Sequence, residues 1–82
     1  MNLENDVREM LSQVMEDSEV DFSKLGADDN LYELGFGSFD AINFVVLAEE
    51  NYGIEMDDTD LILLNYDTVN NIVALLRKYV TA

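Results

Sequence analysis

The sequence contains no cysteine, no histidine and no proline. Without cysteine, the chain can form no disulfide, no cysteine-ligated zinc site and no cysteine nucleophile. Without histidine, the usual general base is missing, and a serine–histidine–aspartate triad cannot be built. Without proline, nothing interrupts helices over most of the length. These absences exclude the commonest catalytic centres, and we predict no catalytic residue.

Basic residues are scarce: 4 lysines and arginines stand against 18 aspartates and glutamates, a formal net charge of -14. Phosphate repels such a surface, so we expect neither nucleic acid nor an anionic membrane as a partner. The field should instead speed encounters with proteins that carry basic patches. The simpler alternative is that the acidity only provides solubility.

The length and apolar content indicate one domain. A chain of 82 residues that is 49% hydrophobic can bury a single compact core. We therefore expect residues 1–82 to form one domain and a monomer. No apolar run is long enough to span a bilayer, and the N-terminal residues lack the pattern of a signal peptide. A cytoplasmic location is the default expectation.

Apolar residues recur at helical spacing in most of the chain. The pattern predicts helices over 3–15, about 38–52 and about 68–80, and a short helix over 59–64. Asn2 and Asp67 are expected to cap the first and last helices, and Gly53 is expected to end the second. The prediction is an all-α fold: a small bundle of three main helices plus one short helix.

Residues 17–37 show no sustained period and are rich in aspartate, serine and glycine. We interpret them as a long loop between helices 1 and 2. We expect apolar side chains of the loop to pack against the core and hold the loop in place; they are Phe22, Leu25, Leu31 and Leu34. A loop of this length in so small a domain suggests a functional role.

Ser38 is the most informative single residue. It follows Gly35 and Gly37 and opens the second predicted helix, where its hydroxyl should be exposed. A helix N-terminus favours a phosphate through its free N–H groups and its dipole. On these residues alone, a plain N-cap role for Ser38 stays open, since serine is common at that position.

Two segments extend this pattern. Residues 31–40 read LYELGFGSFD, and residues 49–55 read EENYGIE. Together they resemble the acyl carrier protein family, whose hallmarks are Leu-Gly-x-x-Ser-Leu and, one helix later, Glu-Glu-x-Phe-Gly-Ile. The matching residues are Leu34, Gly35 and Ser38, then Glu49, Glu50, Tyr52, Gly53 and Ile54. Thr68-Val69 is also similar to the family, and the resemblance covers nearly the whole chain.

The resemblance implies an acyl-carrier-protein-like helical bundle and a function without catalysis. Ser38 would receive covalent 4'-phosphopantetheine from a phosphopantetheinyl transferase. The thiol of that arm would carry acyl intermediates as thioesters between acyl-loading and acyl-processing enzymes, in fatty acid or polyketide-type biosynthesis. Two alternatives stay open: a specialised carrier of amino acids or unusual acids, and an unmodified acidic helical module that only binds proteins.

Three positions depart from the family pattern. Gly37 stands where the family usually has aspartate, and Phe39 stands where it usually has leucine. Both flank Ser38, so a specialised transferase is one expectation. Ala48 replaces a core leucine, and we expect Phe44 or Tyr52 to fill the volume if it is filled.

The exposed face of the second helix is the expected docking surface. It should present an apolar centre inside an acidic rim, which is the anatomy of a small transient interface. The residues are Phe39, Asp40, Asn43, Val46, Leu47, Glu49 and Glu50. The alternative is that these are scattered surface residues that need no explanation.

The aspartates at 57, 58 and 60 could suggest a calcium loop, but the pattern fails. An EF-hand that begins at Asp57 would have Ile62 in place of its glycine and Thr68 in place of its last glutamate. Helix capping explains these aspartates, and we predict no metal site.

Overall fold

A computed structural model describes residues 2–57 and 66–80. These ranges contain α1 (Leu3–Val14), a 3-10 helix (Leu31–Leu34), α2 (Ser38–Tyr52) and α3 (Val69–Leu76), and no strand. The helix α1 packs against both α2 and α3. The all-α prediction is confirmed. The predicted short helix over 59–64 lies outside the described residues.

The first helix forms because its apolar residues fall on one side. That buried side consists of Leu3, Val7, Met10 and Leu11. At the start, the Asn2 side-chain oxygen accepts the N–H of Asn5 at 3.1 Å, which satisfies a first-turn donor. The predicted N-cap is therefore confirmed, and the amphipathic pattern decides which face meets the other helices.

The long segment between α1 and α2 is held to α1 by Arg8. The side chain of Arg8 is largely buried, and its guanidinium donates hydrogen bonds to the carbonyls of Phe22, at 2.8 Å, and of Leu25. Phe22 and Leu31 are buried in the core, whereas Leu25 and Leu34 are partly buried. The predicted apolar anchors thus hold the segment, and an arginine that the sequence did not single out holds its backbone.

The 3-10 helix Leu31–Leu34 falls inside the segment 17–37, for which the sequence predicts a loop. It begins where the side chain of Asn30 accepts the N–H of Tyr32 at 2.9 Å. It ends at Gly35, whose φ of 98° is readily adopted only by glycine. A single turn of this kind has no apolar periodicity of its own, which is why the sequence did not reveal it.

The last helix is shorter than predicted. Its N-cap is Thr68, whose Oγ1 accepts the N–H of Asn71 at 3.1 Å, and not Asp67. Asp67 instead accepts the side-chain amide of Asn71 at 2.6 Å. The helix ends at Leu76 and not at Val80, because two successive N–H groups beyond it bond three residues back and tighten the turn.

Aromatic rings pack in the core on the same side of α2 as Ala48. Ala48 and Phe44, one turn apart on α2, are both fully buried, and Phe44 meets the ring of Tyr66 edge-on at 6.4 Å. Tyr52 lies nearer the surface, where its hydroxyl donates to Asp6 at 2.9 Å. Burial and this hydrogen bond raise the pKa of Tyr52. Of the two aromatic residues expected beside Ala48, Phe44 is therefore the one in the core, and Tyr66 packs against it.

We predict that Ala48→Leu destabilises the protein by about 1–3 kcal/mol, because the larger side chain enters a filled core. The urea midpoint measures the effect. Ala74→Leu, on the exposed side of α3, is the matched control and should change the free energy of unfolding by less than ~0.5 kcal/mol. A midpoint that rises in Ala48→Leu would show unfilled space beside Ala48.

We also predict that salt stabilises the fold. A net charge of -14 repels itself in the compact state, and ions screen that repulsion. Salt also weakens the ion pair between Arg8 and Glu4, whose charged atoms lie 3.4 Å apart. This loss should offset little of the stabilisation, because such pairs contribute little to the free energy of unfolding. The melting temperature should rise by several degrees between low and moderate ionic strength. A constant melting temperature would contradict this account of the charge.

Candidate functional site at the start of helix α2

The chain is fixed just before Ser38 by a buried ring. Phe36 is 2% exposed and stacks on Tyr32, with ring centroids 6.1 Å apart. Its N–H also donates to the carbonyl of Leu31 at 3.2 Å. Because Phe36 anchors the backbone two residues earlier, Ser38 is presented as the exposed first residue of α2.

Gly37 is the N-cap residue of α2 and has extended backbone angles, φ -112° and ψ -174°. Its carbonyl accepts the N–H of Ala41 at 3.0 Å, the first hydrogen bond of the helix. Its N–H donates to Oδ2 of Asp40 at 3.0 Å. Only half of a capping box can form here, because glycine has no side chain to return the hydrogen bond.

The surroundings of Ser38 fit a covalently attached phosphate. Ser38 is exposed, and a Cβ on the neighbouring Gly37 would meet no atom within 4 Å apart from those of its chain neighbours. The first-turn N–H groups and the positive end of the 15-residue helix favour a phosphate at this place. The described residues contain no group of three or more histidine, cysteine, aspartate or glutamate residues that could hold a metal ion.

An apolar stripe runs along α2 from the residue next to Ser38. Phe39 is 75% exposed, Ile42 is 63% exposed and Val46 is 49% exposed. We call these three residues the α2 stripe. Phe39 and Val46 are predicted on this face from the sequence, whereas Ile42 is not among the predicted residues. Its spacing of three residues from Phe39 and four from Val46 was the signal that could have found it.

The other residues of the predicted docking face divide into two groups. Asn43 and Glu50 are exposed, as a docking role requires. Leu47 is partly buried against the core. Glu49 is half-buried, and its Oε2 accepts the N–H of Met56 at 2.9 Å. Glu49, like Asp40, therefore holds the backbone of its own chain.

An open groove between α1 and α2 adjoins the α2 stripe at Val46. It is lined by Gln13, Val14, Asn43, Val46, Leu47 and Glu50. The helix α2 contains acidic residues and neither lysine nor arginine. The stripe and the groove together give an apolar surface in a negative field, which suits a partner with apolar contacts and basic residues around them.

Comparison with known families matches residues 5–76 to the family described as "Phosphopantetheine attachment site". The chain belongs to this family, whose members carry covalently attached 4'-phosphopantetheine, and it is a carrier protein and not a catalyst. Membership implies encounters with a transferase and with processing enzymes.

The comparisons with curated proteins and with solved structures returned no match. Among the described residues, no helix is long and apolar enough to cross a membrane.

Proposed function

We propose that this member of the phosphopantetheine attachment-site family is modified on Ser38 and carries acyl groups in fatty acid or polyketide-type biosynthesis. The observation that carries the proposal is the position of Ser38. It is the exposed first residue of a 15-residue helix, inside the matched range 5–76. The resemblance of the residues around it to acyl carrier proteins supports the acyl cargo.

The remaining serines are less suited to modification. The hydroxyl of Ser18 accepts the N–H of Val20, and the hydroxyl of Ser23 donates to Asp21, so both close local turns. Ser12 lies well inside α1, away from any helix N-terminus. Only the position of Ser38 combines exposure with a helix start, which a phosphodiester favours.

The chain contributes an acceptor oxygen and no general base to the attachment. As the bond between Ser38 Oγ and the transferred phosphorus forms, the bond from that phosphorus to the adenosine bisphosphate part of coenzyme A breaks. In this proposal the hydroxyl proton leaves to a base on the transferase, because Oδ2 of Asp40, the acidic side chain in the first turn of α2, already accepts the Gly37 N–H. Once attached, the arm supplies a thiol that holds the cargo as a thioester.

Docking of the partner enzymes is proposed at the α2 stripe and at the exposed Asn43 and Glu50. The large apolar side chains of the α2 stripe are left exposed by the described residues, and exposed apolar surface of this kind favours association. Basic patches on the partners would meet the acidic surface and guide the approach. These partners would include the transferase and the acyl-loading and acyl-processing enzymes.

Incubation with coenzyme A and a broad-specificity phosphopantetheinyl transferase should add one 4'-phosphopantetheine to the chain. Ser38→Ala should abolish the addition, because it removes the acceptor oxygen. Ser12→Ala is the matched control and should leave the addition intact. Intact-protein mass measurement counts the additions. A label that persists in Ser38→Ala would place the modification on another residue.

Truncation of the α2 stripe should weaken binding to the transferase without unfolding the protein. We expect Ile42→Ala and Val46→Ala each to speed dissociation about tenfold, or ~1.4 kcal/mol, because apolar contacts act after docking. Stopped-flow binding measures the rates. Thermal melting checks the fold. If these variants unfold, but their remaining folded fraction still binds the transferase as the original chain does, the docking surface lies elsewhere.

Reversing a charge on the same face should slow association. Glu50→Lys should lower the association rate, and the loss should shrink at high salt. Glu9→Lys makes the same charge change at an exposed position on α1 and tests net charge alone. Equal losses for the two variants would show that only the total charge matters.

A second candidate is a carrier of amino acids or unusual acids in a specialised pathway. The observation that favours it is the pair of residues around Ser38, since Gly37 and Phe39 both depart from the usual acyl carrier pattern. The mass of the cargo on protein isolated from its native cell separates the two candidates. A fatty or polyketide acyl mass supports the first, and an amino acid mass supports the second.

A further inference from the structure

Gly37 is unusual among the four glycines of the chain because, in the described part of the structure, neither its backbone angles nor a close contact requires a glycine. Gly35 and Gly53 have positive φ angles of 98° and 63°, which side chains rarely adopt. A Cβ on Gly26 would come within 2.9 Å of the carboxylate of Asp29. Gly37 has an ordinary extended φ and open space around it. A residue with a side chain would fit there.

The missing side chain leaves the start of α2 without its usual cap. Serine, threonine, aspartate and asparagine are preferred at the N-cap because their oxygens accept a first-turn N–H. Gly37 offers no such oxygen, and no side-chain cap hydrogen bond is made from this position. The side-chain link that spans Ser38 is the hydrogen bond from the Gly37 N–H to Oδ2 of Asp40, at 3.0 Å.

We propose that Asp40 is a positioning residue for the modification of Ser38. Its carboxylate accepts the Gly37 N–H, which is the half of a capping box that can form here, and so links the residues on either side of Ser38. This link, which we call the clamp, fixes the direction of the Cα–Cβ bond of Ser38. The role requires an acceptor oxygen at position 40 and not a negative charge. This inference rests on the proposed attachment at Ser38, and it differs from the docking role that the sequence suggested for Asp40.

Two substitutions at one position separate the clamp from a charge contact with the transferase. Asp40→Asn keeps an acceptor oxygen and loses the charge, whereas Asp40→Ala loses both. With coenzyme A and a broad-specificity transferase, we expect kcat/KM to fall about tenfold in Asp40→Ala, mainly through kcat. Asp40→Asn should stay within about twofold of the original chain. Glu16→Ala, at an exposed position, controls for the loss of one charge.

A second-site variant tests the same clamp from the other side. Because Gly37 has room for a side chain, Gly37→Asp can supply the N-cap oxygen directly. Added to Asp40→Ala, it should restore at least half of the lost kcat/KM. Equal losses in Asp40→Asn and Asp40→Ala, or a double variant as slow as Asp40→Ala, would overturn the inference.

Amide exchange of Gly37, followed by NMR, tests the clamp without any transferase. Exchange should speed up in Asp40→Ala and stay slow in Asp40→Asn, while the melting temperatures remain close. Unchanged exchange in Asp40→Ala would show that the carboxylate holds nothing. If the original chain accepts no label on Ser38, the proposed function fails, and the exchange rates still decide whether Asp40 clamps the helix start.

Discussion

The burial of one face of α2 determines which residues this protein can offer to others. Ala41, Phe44, Val45 and Ala48 face inward, and full burial of a side chain as large as Phe44 contributes about 1.5–3 kcal/mol. A helix fixed in this orientation must expose its opposite side. The core therefore sets the positions of the α2 stripe, of Glu50 and of Ser38 at the start of α2, although none of these residues belongs to the core.

Holding the start of α2 takes more than core burial. Arg8 ties the long segment after α1 to that helix, Gly35 reverses the chain, and Phe36 enters the core two residues before Ser38. Although the chain is strongly acidic and has few basic residues, one of them, the largely buried Arg8, stabilises the fold. The open end of α2, where a phosphate is favoured, is the outcome of these contacts.

The sequence was sufficient for the parts of the structure that depend on periodic apolar residues. The extent of α2 and the inward position of Ala48 followed from apolar spacing, and the Asn2 cap and the Gly53 end followed from the residue types that helix ends prefer. Single contacts between distant residues were not accessible in this way. The 3-10 helix, the edge-on packing of Phe44 with Tyr66, and the hydrogen bonds that hold Glu49 and Asp40 to the backbone depend on tertiary geometry. Ile42 was missed although its spacing could have shown it.

Attachment of the arm to Ser38 is the claim on which the functional account depends. The most direct measurement is the intact mass of the protein isolated from its native cell, followed by fragmentation to locate any modification. The account predicts a population heavier by one 4'-phosphopantetheine, free or loaded, with the added mass on the peptide that contains Ser38. A chain found only at its unmodified mass, or modified at another residue, would contradict it.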